Sequence, residues 1–211
     1  MSSKQNAFTD IIPVSYETTE RLACYEKMLI EWNEKFNLVA PSTLPHIWSR
    51  HFLDSAQLMQ FIPDRAVTLA DMGAGAGFPG LVLAILAKGT ERDLHIYEIE
   101  STNKKADFLQ AVTDELKLKV TIRRERIEDI RDLKADVVTA RALKALPELL
   151  KYANYLINKD TTCIFPKGQA VADELTQASK YWTFTSEIHP SRSDDSGSVL
   201  ILTNLRYKTH R

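Results

Sequence analysis

Read from the amino terminus, the apolar positions first follow a helical spacing. Leu22, Tyr25, Leu29, Trp32 and Phe36 recur at alternating intervals of three and four, so they share one stripe of a helix. Glu26, Lys27, Glu31, Glu34 and Lys35 fill its other faces. Pro41-Ser42-Thr43 interrupts the pattern. Ile47, Trp48, Phe52, Ala56 and Met59 then predict a second helix, ending at the turn Pro63-Asp64.

From Val67 the period changes. Short runs rich in β-branched residues predict strands at Val67–Asp71, Leu94–Ile99, Val120–Ile122, Asp136–Thr139 and Thr162–Phe165. Longer periodic stretches between them read as helices, through Leu81–Leu86, through Phe108, Leu109, Val112 and Leu116, and through Leu149, Leu150, Ala153, Leu156 and Ile157. Alternation of this kind argues for a parallel sheet covered on both faces. Phe184–Ile188 and Val199–Leu205 flank a polar loop from Ser191 to Ser198 and predict an antiparallel hairpin. The expected fold class is therefore α/β and Rossmann-like, with a helical extension over residues 1–65 and the sheet domain over 66–211.

Composition narrows this little. A chain of 211 residues can bury a substantial core, and 44% hydrophobic with 26% charged residues is ordinary for a soluble domain. A net charge of -1 means that any nucleic-acid partner must be gripped by a local patch. Cys24 and Cys163 are far apart, which argues against a disulfide framework and a zinc site. His46, His95, His189 and His210 show no ligand spacing either, so no metal is expected. The start of the chain lacks the apolar stretch of a signal peptide, and no apolar run approaches membrane-spanning length. A cytoplasmic monomer without membrane contact is the expectation.

The chemistry concentrates in one loop. Of seven glycines, four fall within eight positions, at Gly73, Gly75, Gly77 and Gly80. A turn between a strand and a helix needs residues without Cβ where the backbone bends tightly or touches a ligand. The dinucleotide fingerprint would place a third glycine where Phe78 stands, and no phosphate-loop pattern occurs. Asp71 opens the loop, and Glu100 closes the second strand, with Glu98 one pleat earlier. A carboxylate there can accept both ribose hydroxyls of an adenosyl ligand. The combination fits S-adenosylmethionine better than NAD.

Several further runs share a pattern. They are Trp32-Asn33-Glu34-Lys35-Phe36-Asn37-Leu38, Arg50-His51-Phe52-Leu53-Asp54-Ser55, the glycine loop ending in Phe78-Pro79-Gly80, Glu100-Ser101-Thr102-Asn103-Lys104-Lys105, Arg126-Ile127-Glu128, Arg141-Ala142 and Lys167-Gly168. In this order they resemble the bacterial family of 16S ribosomal RNA guanine-N7 methyltransferases, the glucose-inhibited division protein B family. The resemblance implies a class I S-adenosylmethionine-dependent methyltransferase with a mostly parallel seven-stranded sheet. Its substrate would be N7 of the guanine numbered 527, in 16S RNA or an assembling small subunit. It further implies cofactor contacts at Gly73 and Phe78, adenine contacts from Ile127 and Glu128, and a place for Arg141 in the cofactor pocket. Asp71, Gly75, Gly77 and Glu100 complete the expected cofactor site. Two stretches depart from the family: Val39-Ala40-Pro41-Ser42-Thr43, and Phe165-Pro166 before Lys167.

Guanine N7 carries a lone pair and no proton, so methylating it calls for positioning and no general base. The fourth strand ends in Thr139-Ala140-Arg141-Ala142, without the Asn/Asp-Pro-Pro-aromatic signature of exocyclic-amine methyltransferases. There is no Pro-Cys nucleophile, and Cys163 reads as a core thiol. Arg141 and Lys167 follow strand ends, where ligands bind in open sheets, and are the positioning candidates. Arg50, Lys104, Lys105, Arg123, Arg124, Arg126 and Lys167 are the candidate RNA contacts. His51 and Asp54 share a helical face and read as a pair bracing the extension against the cofactor loop. The competing readings are a small-molecule methyltransferase, a non-catalytic RNA-binding module and an NAD-dependent oxidoreductase.

Overall fold

In the computed structural model, which describes residues 1–208, the amino-terminal helices are fixed by their caps. Ser2 and Gln5 form a reciprocal capping box at the start of α1 (Ser3–Ile11), a helix the hydrophobic pattern does not reveal. Ser15 accepts from the amide of Thr18 and starts α2 (Tyr16–Asn33). The expected stripe buries Leu22, Tyr25 and Leu29, but the helix stops before Phe36. Asn33 ends it by accepting from the amides of Leu38 and Val39, both at 2.9 Å, which turns the chain back.

The second helix expected in the extension is broken. Residues Pro41–His46 form a 3-10 turn and Ile47–Phe52 a π turn, followed by one α turn, α3 (Leu53–Ala56), and a 3-10 turn at Gln57–Phe61. Pro45 has no amide to donate, and its ring crowds the preceding turn, so regular α geometry fails there. The apolar pattern survives the break: Ile47, Trp48, Phe52 and Ala56 are buried and Met59 is half-buried.

The sheet follows the expected alternation. Its elements are β1 (Thr68–Met72), α4 (Gly80–Gly89), β2 (His95–Ile99), α5 (Asn103–Leu116), β3 (Val120–Arg123), β4 (Val137–Thr139), α6 (Leu146–Ala153), β5 (Thr162–Lys167), α7 (Val171–Ala178), β6 (Trp182–Pro190) and β7 (Ser198–Tyr207). The short α7 is a second helix that the pattern does not reveal. Strand order is β3-β2-β1-β4-β5-β7-β6, with β7 antiparallel between β5 and β6. The chain leaves β1 for β2 and β3, then returns to β4 beside β1. This order reversal opens a crevice at the strands' carboxyl ends.

Apolar residues pack on both faces. One face carries Ala70, Met72, Val138, Leu149 and Trp182. The other joins Leu69, Leu81 and Phe108 to Phe8, Leu22, Tyr25 and Phe52 of the extension in a single continuous core. The helical extension is thereby locked against the α4 and α5 side, with its broken segment at the mouth of the crevice. No helix of the described residues is long and apolar enough to cross a membrane.

Candidate active site

The glycine loop takes its shape from three left-handed residues. Gly73, Gly75 and Gly77 have φ of +66°, +58° and +89°, which L side chains rarely adopt. The three differ in their surroundings. A Cβ on Gly77 would lie 2.4 Å from Leu81 and 2.9 Å from the Tyr25 hydroxyl, whereas one on Gly75 would meet only the carbonyl of Gly73 at 3.8 Å. Gly77 is thus closed in by protein, and Gly75 faces open space. From the extension, the buried Tyr25 donates its hydroxyl proton to the carbonyl of Ala76 and holds the loop from behind.

Three acids serve this loop in three ways. Asp71 is fully buried; one carboxylate oxygen accepts from the amide of Gly80 at 3.0 Å, the other from the Thr139 hydroxyl at 2.9 Å. It supports the start of α4 from beneath. Glu98 is also fully buried, and neither of its oxygens has a hydrogen-bond donor. Burial pushes its carboxyl well above the usual range, and the charge of Asp71 pushes it further. Burial likewise raises Asp71, opposed by its two donors. Of the two carboxyls, Glu98, which lacks donors, is the one held protonated. Gly80 is required here: a Cβ would sit 2.3 Å from the Glu98 carboxyl. Glu100, at the mouth, accepts from the amides of Gly75 at 3.0 Å and Thr102 at 2.7 Å. A carboxylate has about four lone-pair sites, so it keeps capacity for a ligand.

Beyond β3, a 3-10 turn at Ile127–Asp129 brings Ile127 and Glu128 to the same edge, Ile127 buried and Glu128 half-buried. Phe78 ends the loop inside an aromatic stack. Its ring lies 4.8 Å from His51 at 14° and 5.5 Å from Tyr25, and the Arg141 guanidinium stands 4.8 Å from its centre.

Arg141, just past β4, joins the two sides of the crevice. It donates to Nδ1 of His51 at 2.9 Å, to the carbonyl of Arg50 at 3.3 Å and to Asp54 at 3.4 Å. His51 and Asp54 do brace the extension against the loop, but they do so by holding Arg141 and stacking on Phe78. Asp54 also accepts from the Ser193 hydroxyl at 2.8 Å, in the loop between β6 and β7. The nearly buried Gln57 latches the same loop, donating to Ser191 at 3.1 Å and accepting from the amide of Arg192 at 2.8 Å. These contacts frame a cleft of about 590 Å³, lined by Arg50, His51, Asp54, Arg141, Lys167 and Asp194 among others.

The basic residues divide. Arg50, Arg141 and Lys167 reach this cleft. Lys167 is not a free cation there: its side chain is 8% exposed and its ammonium pairs with Glu174 at 2.6 Å, a partner from α7. The run from Arg123 to Arg126 starts at the end of β3, and two of its arginines are paired with carboxylates. Arg123 pairs with Glu125 at 2.6 Å and Asp132 at 2.8 Å, and Arg124 pairs with Asp107 at 2.5 Å. Arg126 is exposed, Lys105 is half-buried, and Lys104 lies over the Phe36 ring. Among the described residues, no group of three or more His, Cys, Asp or Glu is placed to hold a metal; His210 lies outside them.

The strand order, the glycine loop between β1 and α4 and the acid at the end of β2 define a class I S-adenosylmethionine-dependent methyltransferase fold. Solved structures share it, among them an S-adenosylmethionine-dependent methyltransferase from Aquifex aeolicus (16% identity, TM-score 0.56, covering 81% of this chain and 97% of that one). Fibrillarin from Aeropyrum pernix, with S-adenosyl-L-methionine bound, is another (12% identity, TM-score 0.56, 74% and 75% covered). Residues 18–195 match the family model GidB, rRNA small subunit methyltransferase G, and the chain belongs to that family. Its relatives include the ribosomal RNA small subunit methyltransferase G of Rhodospirillum centenum, 45% identical over 204 residues that cover 97% of this chain and 92% of the relative. That of Caulobacter sp. strain K31 is 48% identical over 185 residues, covering 88% and 82%.

Proposed function

We propose that this ribosomal RNA methyltransferase places its methyl group on N7 of a guanine in 16S RNA, at position 527, with the RNA presented naked or in an assembling small subunit. The observation that carries this reading is the state of the titratable groups lining the cleft. Asp54 is engaged by Arg141 and Ser193. Asp194 accepts from the amide and hydroxyl of Ser196, which lowers its carboxyl below the usual range. His51 has its Nδ1 occupied, and burial, with the charges of Arg141 and Arg50, lowers it to about 4. Each is held by neighbouring groups, and none is left free to take a proton from a substrate. An acceptor nitrogen without a proton is the acceptor that such a cleft suits.

The residues present fit S-adenosylmethionine. Gly75 leaves open space beside the oxygens of Glu100, which would accept the ribose hydroxyls, and Ile127 and Glu128 would border the adenine. When bound, the cofactor supplies an electrophilic methyl group on a sulfonium sulfur. The protein's part is alignment, which can account for much of the acceleration of a displacement. Arg141 holds the reacting partners from one side of the cleft; Lys167, tied to Glu174, shapes the opposite wall, and Arg50 offers a phosphate contact. Purified protein is to be incubated with labelled cofactor and with small ribosomal subunits lacking the modification, and the methylated base mapped. Label at guanine N7, reduced in Gly75→Ala and strongly reduced but measurable in Arg141→Ala, is the expected outcome. Label on a different atom or base overturns the assignment.

A further inference from the structure

We propose that His51 is the positioning residue for Arg141, accepting a guanidinium hydrogen bond at Nδ1 and so aiming the arginine into the cleft. The inference rests on the role given to Arg141 above and adds what sets its direction.

A guanidinium presents five donors in a rigid plane, so its aim is set by whatever occupies the donors that do not face the ligand. Of the groups that hold Arg141, Nδ1 of His51 makes the shortest contact, 2.9 Å against 3.4 Å for the Asp54 carboxylate. The hydrogen bonds assign the histidine tautomer. The Thr43 hydroxyl donates its single proton to the carbonyl of Ala40 at 2.8 Å, so at 2.9 Å from His51 Nε2 it can only accept. Nε2 therefore carries the proton, and Nδ1 offers its lone pair to Arg141. The relay runs Arg141 to His51 to Thr43 to Ala40, each donor and acceptor fixed by the next. Stacking on Phe78 at 4.8 Å fixes the plane of the imidazole. A neutral acceptor adds no charge of its own to the arginine, whose nearest carboxylate is the more distant Asp54. The segment 39–43, where this chain departs from its family's commoner sequence, supplies the anchor.

The test compares turnover on small subunits, cofactor affinity by calorimetry and thermal stability across five variants. His51→Phe keeps an aromatic ring against Phe78 and deletes the acceptor; turnover is expected to fall about tenfold to a hundredfold, the loss of one hydrogen bond to a charged group. His51→Asn restores an acceptor near Nδ1 and should recover most of that loss. Thr43→Val releases Nε2 and should lower turnover in the same direction by a smaller factor. Adding His51→Phe to Arg141→Ala should cost nothing beyond Arg141→Ala alone, because the histidine then has nothing to aim. A purely structural role would give multiplying losses and no rescue by asparagine, and either result overturns the proposal. So does full turnover in His51→Phe when Arg141→Ala is strongly impaired. Full turnover in Arg141→Ala instead overturns the reading of Arg141 itself, and this inference with it.

Discussion

The two halves of the crevice are held by different means. Around β1, β2 and β3 the working surface is backbone: three glycines with positive φ, the amides of Gly75 and Gly80, and carboxylates that accept from them. Its parts lie close in sequence, from Asp71 to Glu100. Around β4, β5 and the β6–β7 loop the surface is side chain on side chain. Arg141 meets His51 across 90 residues, and Ser193 meets Asp54 across 139. The first half suits a ligand of constant shape, where rigid backbone at close range is sufficient. The second half depends on side chains from distant segments, so it can be altered by substitution without disturbing the sheet. Phe78 and Arg141 mark the border, the ring on one side and the guanidinium on the other.

Substitutions in the glycine loop give the largest expected effects and divide by direction. Gly77→Ala combines a left-handed alanine with a Cβ inside the van der Waals surfaces of Leu81 and the Tyr25 hydroxyl. It should cost about 2–4 kcal/mol of stability and abolish cofactor binding. Gly75→Ala meets no protein atom closer than 3.8 Å, so its strain alone should cost about 1 kcal/mol. Its methyl group projects into the space assigned to the cofactor, and calorimetry should show affinity weakened at least about tenfold, the equivalent of about 1.4 kcal/mol. Equal unfolding temperatures for the two variants would show that the loop is not divided into a packed and an open glycine.

In the other half, Asp54→Asn keeps the shape and the acceptor for Ser193 but removes the charge facing Arg141. Turnover on small subunits should fall about tenfold, in line with the loss of a charge-assisted hydrogen bond. Cofactor affinity, measured separately, should stay within a factor of about three, well under the tenfold that 1.4 kcal/mol represents. A parallel loss of both would merge the two halves into one site and defeat the distinction.

The same division decided what the sequence could reveal. Gly73, Gly75, Gly77 and Glu100 stood out because the backbone demands that make them necessary act within one strand-turn-helix unit. The parallel sheet and the closing hairpin were legible from periodicity for a similar reason. His51 and Asp54 were visible only as neighbours on one helical face, because nothing local shows that both reach Arg141. Gln57 and Ser193 carried no signal at all. The partners of Arg123 and Arg124, Asp132 and Asp107, carried no signal either, because they come from separate elements. The breaks in the second helix were concealed by an apolar pattern that persisted through the π and 3-10 turns.

The smallest expected effects concern proton linkage, and here the two halves should respond to pH in opposite directions. Glu98 has its carboxyl raised by burial and by Asp71, so the folded state keeps a proton that the unfolded chain releases above its ordinary value near 4.5. Its contribution is fully present below that value and declines as pH rises through the folded pKa. His51 is lowered by burial and by Arg141 from 6.5 to about 4, so the folded state binds fewer protons than the unfolded chain across that window. Its contribution is present above about 6.5 and is lost as pH falls towards 4. Glu98→Gln keeps the shape of the side chain without a titrating proton. Its unfolding temperature relative to the parent should rise as pH increases above about 4.5. His51→Asn should flatten the parent's decline between pH 6.5 and pH 4 and leave the alkaline limb alone. If Glu98→Gln changes the acid limb and His51→Asn the alkaline one, the protonation states assigned to both halves are reversed, and the acceptor role of His51 falls with them.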